Sequence, residues 1–172
     1  TENNVAAGRS DERSVRTGGN GGCSPRWTPT KNSYKNDSEP NNTINTGSLL
    51  TSGSSVQGQL GYYYYNADID TEDWYKIEVP SNGTINLEMI PGSGLNINYI
   101  SLYTLKDGSA SVERKFVYIG TDQKSLTENN VAAGTYYVKI LRSSGNGGYT
   151  LKYNFTKNSY KNDSEPNNTI NT

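Results

Sequence analysis

TYYVKILRSSGNGGYTLKYNF, residues 135–155, decides the fold. Tyr136, Val138 and Ile140 alternate with Thr135, Tyr137 and Lys139, and Tyr149, Leu151, Tyr153 and Phe155 alternate with Thr150, Lys152 and Asn154. A period of two sends successive side chains to opposite faces of a strand, so each run has one face to bury. Between the runs, GNGG at Gly145 to Gly148 supplies residues that take positive φ at small steric cost. The stretch reads as a β-hairpin, and its aromatic and β-branched content agrees.

The pattern continues on the N-terminal side. Short alternating runs predict strands near 55–60, 73–79, 83–90, 96–105 and 115–119, followed by 135–141 and 149–155. The inner face is expected to carry Tyr75, Ile77 and Val79, then Ile85, Leu87 and Met89, then the alternating sets of the hairpin. SNGT at Ser81 to Thr84 and KDGS at Lys106 to Ser109 mark further turns. Helix signals are nearly absent. The fold class that follows is all-β, an antiparallel, jelly-roll-like β-sandwich. Trp74, Tyr103 and Tyr118 are expected to be core or half-buried.

The same hairpin exposes a repeat. TENNVAAG stands at Thr1 to Gly8 and again at Thr127 to Gly134, and TKNSYKNDSEPNNTINT stands at Thr30 to Thr46 and again at Thr156 to Thr172. Both pairs are offset by 126 residues, so the chain reads as one tandem unit of about 126 residues plus part of another. Between the matching blocks, RSDERSVRTGGNGGCSPRWTP puts charges and prolines where the hairpin has Tyr, Val, Ile and Leu. That version cannot bury the same face. Residues 1–36 are read as a partial preceding repeat and linker. Within them, 9–29 are a decayed copy, a locally corrupted one, or a donor segment for another chain's sheet. Residues 37–156 form the sandwich, and 157–172 are a linker and the start of the next repeat. Nothing functional rests on Cys23, Trp27 or the arginines at 9, 13 and 16. Thr1 opens on no signal peptide, which suggests a mature or internal fragment.

Composition excludes several function classes. With 16 basic and 17 acidic groups and a net charge of −1, the chain has no basic field for nucleic acid and no polybasic membrane patch. No apolar run approaches the length of a membrane span. Histidine is absent and cysteine occurs once, so neither a Ser-His-Asp arrangement nor a His-ligated zinc site can be built, and no internal disulfide can form. Paired carboxylates remain, but a sandwich of this size seldom builds the cleft glycoside hydrolysis uses. The chain is read as not an enzyme.

Two blocks carry candidate binding chemistry. Asp37, Glu39, Asn41 and Asn42 offer oxygen atoms at near-alternate spacing, and DIDTED adds Asp68, Asp70, Glu72 and Asp73 just before a strand. Oxygen donors at that density suit calcium, which takes six to eight ligands in irregular geometry; a solvated linker and an ordinary charged turn are the bland alternative. In GYYYYNAD, the extended run Tyr62, Tyr63, Tyr64 and Tyr65 must point to both faces, so about two rings face outward. Those rings are a candidate surface for a sugar or a protein partner, or they are two core residues and two lying over a neighbouring loop. Sequons at Asn36, Asn41, Asn82, Asn154, Asn162 and Asn167 permit glycosylation without demonstrating it.

DSEPNN at Asp37 to Asn42, DTEDWYKIEVPSNGTINLEM at Asp70 to Met89, ISLYTLKDG at Ile100 to Gly108 and AAGTYYVKI at Ala132 to Ile140 fall in order across one sandwich length. Together they resemble the bacterial pre-peptidase C-terminal domain, the accessory β-sandwich of secreted peptidases that includes the collagen-binding domains of clostridial collagenases. The resemblance implies a bacterial, extracellular or cell-surface setting. It also implies a calcium site at Asp37, Glu39, Asn41, Asn42, Asp70 and Asp73, with Asn42 standing where an acidic ligand is often found. Near-exact repetition favours a structural fibre, stalk or adhesin of calcium-stiffened beads whose partners are neighbouring repeats or identical subunits, joined end to end or by strand exchange. The alternative is a collagen- or polysaccharide-binding accessory module of a secreted hydrolase. A third reading is a folding or secretion aid trimmed during maturation.

Overall fold

The computed structural model describes residues 39–65, 68–106 and 110–159, which fall in the compact unit Lys31–Thr172. In chain order the strands are β1 (Ser48–Leu49), β2 (Ser54–Leu60), β3 (Tyr63–Tyr65), β4 (Asp68–Ile69), β5 (Glu72–Val79), β6 (Gly83–Pro91), β7 (Leu95–Lys106), β8 (Ala110–Gly120), β9 (Lys124–Val131), β10 (Gly134–Gly145) and β11 (Gly147–Lys157). The described residues include no helix.

Two sheets form the sandwich. One has the order β1-β5-β10-β7-β8 and the other β2-β11-β6-β9, while β3 and β4 make a separate two-stranded ribbon. Every pairing is antiparallel except β1 with β5, a two-residue parallel pair at the sheet's edge. Alternation places the core as the sequence predicts. Tyr75, Ile77, Val79, Val138 and Ile140 pack from one sheet against Ile85, Leu87, Met89, Leu151 and Tyr153 from the other. Phe155 is only partly buried, because it lies near the open end of β11.

Three differences from the sequence reading have physical causes. β9, KSLTENNV, was not foreseen because its burial pattern leaves only Leu126 and Val131 inside, too sparse to show a period. β8 begins earlier than expected, since residues 111–116 are exposed at the sheet's edge and need no apolar alternation. Tyr118, expected in the core or half-buried, is 63% exposed, because Ile119 is the β8 residue that turns inward and Tyr118 is therefore turned out.

Register also fixes where the chain enters and leaves. The Asn41 carbonyl accepts the Trp74 amide at 2.8 Å, near the start of β5, and the Leu50 amide then donates to the Lys76 carbonyl at 2.8 Å. At the far side, Lys157 lies opposite Gly83, and the Asn158 amide donates to the Asn82 carbonyl at 3.1 Å, beside the turn between β5 and β6. The incoming strap and the outgoing strand sit near opposite ends of β5, whose eight residues span about 23 Å at ~3.3 Å per residue.

Candidate functional site

The strap brings half of the acidic constellation to the other half. EPNN runs beside the start of β5, where Glu39 accepts a hydrogen bond from the Asn41 amide at 3.2 Å and the Asn42 side-chain amide donates to Asp70 Oδ1 at 2.8 Å. The carboxylates of Glu39, Asp70 and Asp73 have oxygens within 4.8 Å of one another. Asn41, Asp70 and Asp73 are fully buried, and Glu39 and Asn42 are half-buried. Asp37 lies outside the described residues. Thus Glu39, Asn42, Asp70 and Asp73 converge, while Asn41 secures the strap through its backbone.

Gathering three carboxylates away from water is costly, because like charges repel and each loses hydration. Burial pushes the Glu39 carboxyl up from its ordinary value, only partly opposed by hydrogen bonds with the Asn41 amide and Asp70. Buried oxygens Glu39 Oε1 and Asn42 Oδ1 have no hydrogen-bond partner within the protein. A buried acceptor left unmatched usually costs ~1–3 kcal/mol, so a cation there would offset both the repulsion and the missing bonds. The donor set is wholly oxygen and irregular, which fits a hard divalent ion such as calcium.

The remaining acids of DIDTED are put to other uses. Glu72 points to the outer face, where it pairs with Lys139 at 2.5 Å and accepts a hydrogen bond from the Trp74 indole at 3.2 Å. The side chain of Asp68 lies outside the described residues. Holding Asp70 falls to the tyrosine loop, since the Gly61 amide donates to the Asp70 carbonyl and the Asp70 amide to the Tyr62 carbonyl, both at 2.8 Å. Tyr63 pairs with Ile69 in the β3-β4 ribbon and is 68% exposed, and Tyr62 is half-buried. The side chains of Tyr64 and Tyr65 lie outside the described residues.

Sequence reasoning missed the partners behind Asp73. Tyr149, from the opposite sheet, donates its hydroxyl to Asp73 Oδ2, and the Tyr75 and Tyr149 hydroxyls meet at 2.6 Å. Both tyrosines read as core residues, and nothing in their spacing signals a polar task. Gly58 is the one trace: it lies opposite Tyr149, and a Cβ there would overlap the hydroxyl.

A second group of side chains lies on the outer face of the five-stranded sheet. Trp74 is buried there beneath Tyr103, with ring centroids 5.2 Å apart, and the Lys139 ammonium stands 5.3 Å from its ring centroid. Tyr103 donates to Glu113 at 2.9 Å, and burial, aided by that acidic partner, pushes its hydroxyl up to about 12. Nearer the edge, Phe116 and Tyr118 are 45% and 63% exposed.

Residues 71–142 match the family model described as the bacterial pre-peptidase C-terminal domain. Among solved structures, the chain is similar to the pre-peptidase C-terminal domain of a collagenase from Bacillus anthracis, at 16% identity and TM-score 0.48, over 62% of this chain and 93% of that one. TmCBM61 in complex with β-1,4-galactotriose is 13% identical, with TM-score 0.37, over 60% of this chain and 70% of that one. A carbohydrate-binding module of Cellvibrio mixtus lichenase 5A in complex with cellotriose is 15% identical, with TM-score 0.30, over 63% of this chain and 89% of that one. No curated protein matches the chain.

Proposed function

From residues 71–142 identified as a bacterial pre-peptidase C-terminal domain, we propose that this protein is a non-catalytic, extracellular structural repeat, one bead of a fibre, stalk or adhesin whose joints calcium stiffens. The observation that carries this reading is the placement of the two chain ends of the sandwich at opposite ends of β5, with the strap at one and Lys157 at the other. A unit threaded from end to end can be strung in series, whereas one whose ends lie side by side would fold the string back. The residues after the outgoing strand repeat the strap, with Glu165, Asn167 and Asn168 standing where Glu39, Asn41 and Asn42 stand before it. Each strap would therefore serve the bead that follows it.

Glu39, Asn42, Asp70 and Asp73 would hold the ion, with Tyr149 fixing one oxygen of Asp73. When bound, calcium supplies positive charge that draws strap and sheet oxygens together. The protein's own part is to bring the strap along β5 and to keep Asp70 in place through the tyrosine loop. A joint drawn onto the sheet is shorter and stiffer than a free Ser- and Asn-rich linker. The test is electron microscopy of the native material with and without chelator. Regular beaded filaments that soften on chelation are expected, and dispersed monomers in both conditions would refute the reading.

The second reading, a substrate-binding module for collagen or polysaccharide, is favoured by one observation: Phe116 and Tyr118 leave large aromatic surfaces in water side by side, with ring centroids 5.2 Å apart.

A further inference from the structure

We infer that the outer face of the five-stranded sheet, where β7 and β8 meet, binds an extended, uncharged polysaccharide through Tyr118, Phe116 and Tyr99. The inference rests on the second reading above and names its surface and ligand class; it is independent of the cation site.

Register builds the platform. Tyr99 lies opposite Tyr118 and Ser101 opposite Phe116 across the two strands, and with Ile119 inside, both aromatic residues of β8 turn outward. Their rings form one cluster, with Phe116 and Tyr118 centroids 5.2 Å apart and Tyr99 and Phe116 centroids 6.2 Å apart. Ser101 is fully buried in the middle of the face, so the side chains around it close into a floor.

Charge and area select the occupant. Most ionic groups of this face are paired in place, Lys139 with Glu72 at 2.5 Å and Lys76 with Glu78 at 2.7 Å. Beside the rings stand Glu113, which accepts the Tyr103 hydroxyl at 2.9 Å and keeps its negative charge, and the Lys124 ammonium, which donates to the Tyr118 carbonyl at 3.0 Å. The charges near the rings are few and of both signs, so no field of one sign draws a polyanion or a polycation, and a neutral partner complements the face. The exposed parts of Phe116 and Tyr118 together offer roughly 200 Å², far short of the roughly 800 Å² per partner that a stable protein interface needs. A second copy of this chain is thereby disfavoured, and a narrow polymer suits the patch. A sugar ring has an apolar C–H face and a rim of hydroxyls. The face can lie on an aromatic ring while the rim meets the phenolic hydroxyls of Tyr99 and Tyr118.

The experiment is affinity electrophoresis of the full chain in gels containing neutral polysaccharides (galactan, xyloglucan, glucomannan, mixed-linkage β-glucan), with alginate and heparin as anionic polymers and pull-down on fibrillar collagen alongside. Expected is retardation by at least one neutral polysaccharide that weakens about tenfold or more in Tyr118→Ala and in Phe116→Ala, at unchanged melting temperature, and persists in Tyr63→Ala. Binding only to collagen or to the anionic polymers would overturn the inference, as would wild-type retardation of the Tyr118→Ala and Phe116→Ala proteins. Retardation abolished by Tyr63→Ala alone would move binding to the tyrosine loop, leaving the module reading standing and this face refuted. Absence of binding to every polymer would defeat both.

Discussion

Glu39 shows the conflict in the cation site most directly. Its carboxyl is drawn from water toward two other carboxylates, and burial raises its affinity for a proton. Removing that charge should relieve the protein when no ion is present and cripple it when one is. In Glu39→Gln, the metal-free melting temperature is expected to equal or exceed that of the parent, while the rise on adding calcium is largely lost. Calorimetric titration should show affinity at least about tenfold weaker, on the order of 1.4 kcal/mol. A calcium response equal to that of the parent would remove Glu39 from the ligand set. The neighbouring Asn42 behaves differently, because its amide nitrogen is committed to Asp70 and only its oxygen remains to face an ion.

At the scale of the element, β2 and β11 carry information that no single residue holds. Gly58 lies opposite Tyr149, and the Tyr149 hydroxyl crosses the space a side chain at Gly58 would fill on its way to Asp73. Gly58→Ala is expected to destabilise the fold by about 1–3 kcal/mol in denaturant unfolding, as overpacking does. Combined with Tyr149→Leu, which removes both the hydroxyl and the ring carbons that a Cβ at Gly58 would overlap, the loss is expected to fall short of the sum of the two single losses; losses that simply add would show that the two residues do not meet. The strands themselves were legible, because Ile85, Leu87 and Met89 or Val138 and Ile140 keep a strict period of two. The elements that escaped notice were those whose burial is thin, such as β9 with Leu126 and Val131, or too short to have a period, such as β1. For the site, sequence supplied Glu39, Asp70 and Asp73 because oxygen donors cluster visibly along the chain. Tyr149 was invisible in that role, since a tyrosine in an alternating run is indistinguishable from a core residue until its hydroxyl has a partner. Tyr118 was misjudged for the converse reason: composition says that it belongs in a strand, and only the register of β8 says which face it takes.

For the whole molecule, the repeat offers a comparison within one chain. DSEPNN occurs before the sandwich at Asp37 to Asn42 and after it at Asp163 to Asn168, with the same residues on both sides as far as Thr46 and Thr172. The first copy meets Asp70, Asp73 and the Trp74 amide, which belong to the strands that follow it. Any intrinsic preference of the segment for calcium is shared by both copies, so a difference between them isolates what the sandwich contributes. Hydrogen exchange of the full chain, with calcium and with chelator, is expected to show calcium-dependent slowing at the amides of Asn41, Asp70 and Trp74. The Asn158 amide, bonded to Asn82 at the opposite end, should not respond. The amides of Asn167 and Asn168 should also be indifferent to calcium. Equal slowing in both copies would mean that the segment binds the ion alone, and the strap would then be no joint between beads. Slowing confined to the first copy would make each sandwich the receptor for the linker that precedes it, and the stiffness of a string of such units would then depend on occupancy at every junction.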